Sequence, residues 1–334
     1  MKRHRDTQVE LLRIVLMFLI VFWHCSMCRS DGDMRVSKLM ACLPVFSVDA
    51  FILISGYYGI SFSVKKVGYL LWLGLFSAVA VSLSGLCVVS EFAFRYSLGW
   101  FGLGYLALMV LSPLINSGLQ SVVASGRGLH FWLSFTVLII MSWLPTGGGI
   151  DMHIPGFGGM TVVTMLYVYV TGRIIYYFQI SRRIRTCLLV MLFIILCLLN
   201  ISFAVFSGLT WDKGAINLLF SKWRFNDSPL VVAMAILFFL IFLRLRLSPI
   251  IERWIVLFAP SMFSIYLLHC GTNFSISRTL IGRYLFLPFN TAGMYAVATL
   301  FAAAFTFILC LLMDLLRRWC ESTLNHWLSK GVDK

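Results

Sequence analysis

The sequence predicts an all-α, polytopic integral membrane protein with about ten transmembrane helices and both termini in the cytoplasm. Three observations carry that prediction. Of 334 residues, 60% are hydrophobic and only 12% charged, about half the charged share of soluble globular domains. Apolar runs long enough to cross a bilayer follow one another along the chain. The cations between those runs are shared unevenly between alternate loops.

The runs lie at about 11–28, 42–62, 67–90, 97–117, 129–144, 158–178, 186–206, 229–243, 255–272 and 293–316. The fifth and eighth are the shortest, and a run of that length is either a span or a re-entrant segment. Ten crossings return the C-terminus to the side of the N-terminus. With that threading, 17 of the 27 Lys and Arg fall on the side of the termini and 9 on the other, with Arg13 inside the first span. The cation-rich side is the cytoplasmic one, so both termini are expected inside. "MKRHRDTQVELLR" is basic and leads into the first run, and "FWHCSM" is a poor cleavage site, so the run reads as an uncleaved helix. The chain then divides into a membrane domain, 1–316, and a tail, 317–334. In the tail, "RRWCESTLNHWLSK" has apolar residues at helical spacing and is expected along the inner headgroup layer.

The net charge of +14 does not point to nucleic acid, because the cations sit in short clusters between apolar runs. Topology and anionic lipid headgroups account for them. Nine cysteines lie mostly in apolar runs and behave as small hydrophobes. Cys25-x-x-Cys28 has no second ligand pair, so no metal is expected there. "PTGGGIDMHIPGFGG" at 145–159 lacks the Gly-Lys-Ser/Thr of a phosphate cradle and reads as an external connector.

The chemistry is sought among the polar residues inside the spans, where an ionisable group costs at least ~2.5–3.5 kcal/mol at a helix centre. Arg13 and His24 are eleven residues apart, about three helical turns plus ~20°, so they share one face with ~16 Å between them. Glu10 precedes Arg13 by three residues and can pair with it. Two readings of this stripe stay open on the residues alone. His24 is either a proton-transferring base or a hydrogen-bonding contact to another helix, and Arg13 either serves a site or snorkels to the inner headgroups.

Asp49 lies about a third of the way into the second span from its outer end. Alternating helix directions give it a depth similar to that of His24, where a carboxylate can orient an imidazole and raise its basicity. Ser55-Gly56 is a small-residue step that serves either close packing or chemistry. His269 in "SIYLLHC" reaches a comparable depth from the ninth span. Trp100 and Tyr105 either line a cavity or belong to the belt and core. Arg173, beside "RRIR", is explained equally by snorkelling.

"VELLRIVLMFLIVFWH" resembles the first-helix signature of the membrane acyltransferase-3 family, an Arg followed after ten residues by a His. "SVDAFILISGYYGI", "WFGLGYLALMVLSPLIN" and "SIYLLHC" resemble later blocks of that family in the expected order. The resemblance implies a bacterial inner-membrane enzyme that moves an acyl group, commonly acetyl from cytoplasmic acetyl-CoA, to a hydroxyl of a surface polysaccharide or its lipid-linked precursor. It implies His24 and Arg13 as essential residues, with acyl-CoA as co-substrate and no bound cofactor. Many members carry an Arg-x-x-Arg after the second-helix motif, whereas this chain has Lys65-Lys66.

The mechanism expected from these readings is O-acyl transfer. CoA phosphates dock on Arg13 and on Lys65 or Lys66, and His24, oriented by Asp49, deprotonates the acceptor hydroxyl. Glu10, Ser55, Trp100 and His269 complete the candidate substrate-binding set. The competing class is a transporter or flippase for a glycan or lipid-linked sugar, since charged stripes also mark substrate pathways.

Overall fold

A computed structural model of the chain describes residues 6–26, 39–83, 98–125, 128–143, 162–180, 184–209, 223, 225–270 and 292–332. Among the described residues there are helices and connecting turns and no strand. The helices are α1 (Thr7–Ser26), α2 (Ser47–Tyr58, entered through the 3-10 turn Pro44–Phe46), α3 (Val64–Leu83), α4 (Gly99–Ser125) and α5 (Gly128–Trp143). They continue with α6 (Val162–Tyr177), α7 (Thr186–Leu209), α8 (Pro229–Phe242), α9 (Pro249–Phe258), α10 (Met262–Cys270) and α11 (Ala292–Val332). Every predicted apolar run holds one of these helices, the ninth holding the α9–α10 pair.

Among the described residues, five helical stretches are long and apolar enough to cross a membrane: Thr7–Ser26, Phe101–Ser125, Thr186–Phe206, Pro249–His269 and Gly293–Asn325. Pro44–Tyr58, Val162–Tyr177 and Pro229–Phe242 are apolar but shorter. Large side chains such as Val79, Leu114, Leu133, Leu198 and Leu312 stay exposed on the outward faces, which suits contact with lipid. The protein is therefore an all-α membrane protein. The residues assigned to a separate tail continue α11 without a break at 316, and the helix runs on to Val332.

Local sequence explains how several helices begin and bend. At α8, Ser228 Oγ accepts the Val231 N–H at 3.1 Å while Pro229 fills the first turn, where no N–H is needed. Pro113 inside α4 cannot donate to the Met109 carbonyl, and the Ser112 hydroxyl does so instead at 2.8 Å. Gly56 and Gly172 let α2 and α6 cross backbone to backbone. A Cβ on Gly172 would stand 2.7 Å from Tyr57 N and 2.9 Å from Gly56 Cα.

α1 lies at the centre, with Leu12, Leu16 and Val21 fully buried, and packs on α2, α9, α10 and α11. Two contacts set its relation to α9–α10. Thr7 Oγ1 donates to Glu252 Oε1 at 3.0 Å near one end, and His24 meets His269 at 3.0 Å near the other. Both pairs are 245 residues apart, so the two segments run parallel and in register from Thr7 to His24, about 25 Å of helix.

Candidate active site

His24 occupies the last turn of α1 and is 7% exposed. The end of that helix is closed by side chains. Ser26 Oγ donates to the Trp23 carbonyl at 2.8 Å, and the Tyr295 hydroxyl of α11 donates to the Ser26 carbonyl at 2.7 Å. The Trp23 ring packs edge-on against the imidazole with 5.0 Å between centroids. His24 Nδ1 lies 3.0 Å from His269 Nε2, and His269 Nδ1 lies 2.7 Å from the Ile265 carbonyl one turn back on α10.

With both rings neutral, one assignment of protons satisfies the two contacts. A carbonyl only accepts, so His269 carries its proton on Nδ1, and in the neutral ring its Nε2 is an acceptor. His24 Nδ1 must then donate across the 3.0 Å contact, which leaves the lone pair of His24 on Nε2.

Asp49 does not take part in this pair. It is fully buried, and among the described residues neither carboxylate oxygen has a hydrogen-bond partner. Its electrostatic neighbours are Asp227, just before α8, and the Tyr167 hydroxyl of α6. Depth along the second helix made the expected contact with His24 reasonable. The rotation of α2 turns Asp49 toward α6 and α8, and sequence spacing carries no information about that rotation.

Glu10, Arg13 and the C-terminal turn of α2 lie at the opposite end of α1. Glu10 Oε1 and Arg13 Nη1 form the expected ion pair at 2.8 Å, with Glu10 buried and Arg13 about one-third exposed. The Tyr58 hydroxyl, at the end of α2, donates to Asp6 Oδ2 at 2.6 Å. Ser55 Oγ reaches the Phe51 carbonyl at 3.2 Å and the Tyr105 hydroxyl at 3.5 Å. Lys65 and Lys66 open α3 and are exposed, with Lys66 Nζ donating to the Ser61 carbonyl at 3.1 Å. Trp100 falls in the first turn of α4, and its side chain lies outside the described residues, as do Cys28 and the 145–159 loop. Cys25 is buried in α1.

A family model described as an acyltransferase domain matches residues 6–315. The chain belongs to the acyltransferase-3 family. No curated protein sequence and no solved structure gives a match. The matched span contains both ends of α1 and the helices that carry His24, His269 and Arg13.

For this acyltransferase the structure joins two residues that the sequence placed only at similar depth. His24 and His269 share a hydrogen bond, and neither ring shares one with Asp49. Sequence reasoning missed Tyr295 as the group that closes α1, and it missed the set around the α2 exit: Asn116, Tyr169 and Tyr177. One usable signal was present. Asn116 is an amide within the apolar run "LSPLIN", where an unpaired polar group is costly.

Proposed function

We propose that this membrane acyltransferase moves an acyl group, acetyl by default, from cytoplasmic acyl-CoA to a hydroxyl of a cell-surface polysaccharide or its lipid-linked precursor, in a bacterial inner membrane. The observation that carries the reading is the buried chain Ile265 carbonyl, His269, His24. It presents a neutral imidazole with a defined tautomer, which is what a general base needs before substrate arrives.

In the reaction, His24 Nε2 accepts the proton of the acceptor hydroxyl as its oxygen attacks the thioester carbonyl. The C–O bond forms, the C–S bond breaks, and the proton passes to the departing CoA sulfur. The imidazolium that forms keeps its Nδ1–H bond to His269 Nε2, so the ring need not turn between the two proton transfers. His269 is a positioning residue in this scheme, the role that the sequence had offered to Asp49.

The donor enters from the side of the termini, where the Lys and Arg bias lies. Arg13 and His24 are separated by about 16 Å of helix, which calls for a donor whose anionic end and reactive carbon are joined by a long arm. Acyl-CoA has that build.

The test is transfer by purified protein in lipid nanodiscs, with radiolabelled acetyl-CoA and candidate surface glycans. Label appearing on glycan, lost in His24→Ala protein that still inserts and purifies, supports the reading. Glycan movement across vesicles without any acyl transfer would support the transporter class instead.

A further inference from the structure

Arg173 is a buried cation that the reaction scheme leaves unused. The Gly56–Gly172 crossing brings it against the C-terminal turn of α2. There Nη1 donates to the Gly56 and Tyr57 carbonyls at 3.4 and 3.2 Å, and Nη2 donates to the Tyr177 hydroxyl at 2.9 Å. The guanidinium carbon lies 5.1 Å from the Tyr176 ring centre and 4.7 Å from that of Tyr177. Arg173 is 9% exposed, and among the described residues its buried Nε–H has no partner.

Among the described residues no carboxylate pairs with Arg173, whereas Arg13 has Glu10 and Arg317 has Asp314 and Glu321. The carbonyl end of α2 offsets only part of a full charge. The guanidinium edge formed by Nε and Nη2 is the one that grips an oxyanion in two-point fashion, and Nε on that edge is unpartnered.

The surroundings are held in place before any ligand arrives. The Ile60 N–H donates to the Tyr169 hydroxyl at 3.0 Å, Tyr169 donates to Asn116 Oδ1 at 2.9 Å, and Asn116 Nδ2 closes the ring on the Ile60 carbonyl at 3.1 Å. Gly59 adopts φ of 75°, and a Cβ there would stand 2.8 Å from Arg173 Nη1, so bare backbone faces the cation. The same loop leads to the exposed Lys65 and Lys66. The Tyr57 ring links Tyr176, at 5.5 Å, to Tyr58, at 5.2 Å, and Tyr58 bonds Asp6 beside α1. A buried cation, exposed cations and aromatic faces thus lie at the end of α1 remote from His24.

We propose that Arg173, with Tyr176, Tyr177 and the lysines of the adjoining loop, forms a phosphate-binding site that holds the nucleotide phosphates of the acyl donor. This rests on the acyl-CoA reading above. Arg173 supplies a preorganised charge, the tyrosines hold its plane, and Lys65 and Lys66 add long-range attraction.

The experiment measures binding of 3′-phosphoadenosine 5′-diphosphate to the full-length protein in phosphatidylcholine nanodiscs. Wild type is expected to bind, Arg173→Met to bind about tenfold or more weakly, and Arg173→Lys to recover only part, because a lysine keeps the charge and loses the two-point grip. The KM for acetyl-CoA should rise by the same factor as binding weakens, with S-acetylpantetheine, which has no phosphate, used as well by the variant as by wild type.

No binding by wild type, equal binding by wild type and Arg173→Met, or equal loss with both donors would overturn the proposal and leave Arg173 a cap for α2. Arg173-dependent retention of phosphatidylglycerol without nucleotide binding would make a lipid headgroup the source of the phosphate and overturn the donor assignment. The nucleotide measurement does not depend on acyl transfer, so failure of transfer with intact Arg173-dependent binding counts against the reaction proposed above and for this site.

Discussion

His24 Nδ1 and His269 Nε2 are held 3.0 Å apart by two parallel segments that are also pinned about 25 Å away by Thr7 and Glu252. The contact therefore depends on the register of whole helices as well as on two rotamers. A base built in this way is oriented by the framework, and its behaviour under substitution follows from that construction.

Replacing His24 with Ala should lower acyl transfer by on the order of 10²–10⁴, the range that a positioned base contributes. Insertion and yield should be little affected, because the change removes one imidazole while Leu12, Leu16 and Val21 keep α1 packed in the core. Initial rates with radiolabelled acetyl-CoA and glycan measure the effect, and near-normal transfer would remove His24 from the chemistry.

His269→Ala and His269→Gln should behave differently. The first removes the acceptor for His24 Nδ1–H, worth ~0.5–1.5 kcal/mol, and should lower kcat by about three- to tenfold with KM for both substrates little changed. Glutamine offers an amide oxygen as a substitute acceptor and should retain more of kcat. Equal loss in the two variants would mean that His269 serves packing alone.

Asp49→Asn discriminates between the two candidates for orienting the base. With no hydrogen bond to lose, the neutral amide should hold kcat closer to wild type than His269→Ala does. It should leave the protein at least as stable, since burying an unpaired carboxylate is unfavourable. A kcat loss larger than that of His269→Ala would restore Asp49 to the role that its depth in the sequence implied.

Arg317, over the Tyr69 and Phe76 rings of α3, gives a stability test. Its Nη2 pairs with the fully buried Asp314 at 2.7 Å and its Nη1 with Glu321 at 2.7 Å, while Glu321 also accepts the Trp72 indole N–H of α3 at 2.7 Å. Arg317→Ala strands a buried charge and should destabilise by about 3–5 kcal/mol, read as a lower thermal midpoint in detergent. Asp314→Asn combined with Arg317→Met should recover part of that loss.

Gly172→Ala should destabilise by about 1–3 kcal/mol, because the added methyl meets the backbone of α2, which cannot rotate away as a side chain can. A thermal midpoint equal to wild type would show that the α2–α6 crossing can loosen without cost.

The membrane class and the apolar runs that hold the helices were legible because hydrophobic runs report burial in lipid or protein directly, residue by residue. Arg13 and His24 were legible for the same reason: two polar residues in an apolar run, at a spacing that puts them on one helix face. Glu10 followed from the i, i+3 relation and pairs with Arg13 as that spacing requires. All three are relations within a single helix.

Relations between helices were decided only by the tertiary structure. Asp49 and His269 were equivalent partners for His24 when judged by depth, and the choice between them rests on how α2 and α10 are rotated about their axes. For Arg173 snorkelling was an equal explanation in the sequence, and the Gly56–Gly172 crossing brings the α2 carbonyls to it. The sequence by itself determined which polar residues enter the membrane domain and on which helix face they stand. Rotation and register between helices, set by the packing of many apolar side chains at once, decided which of them meet.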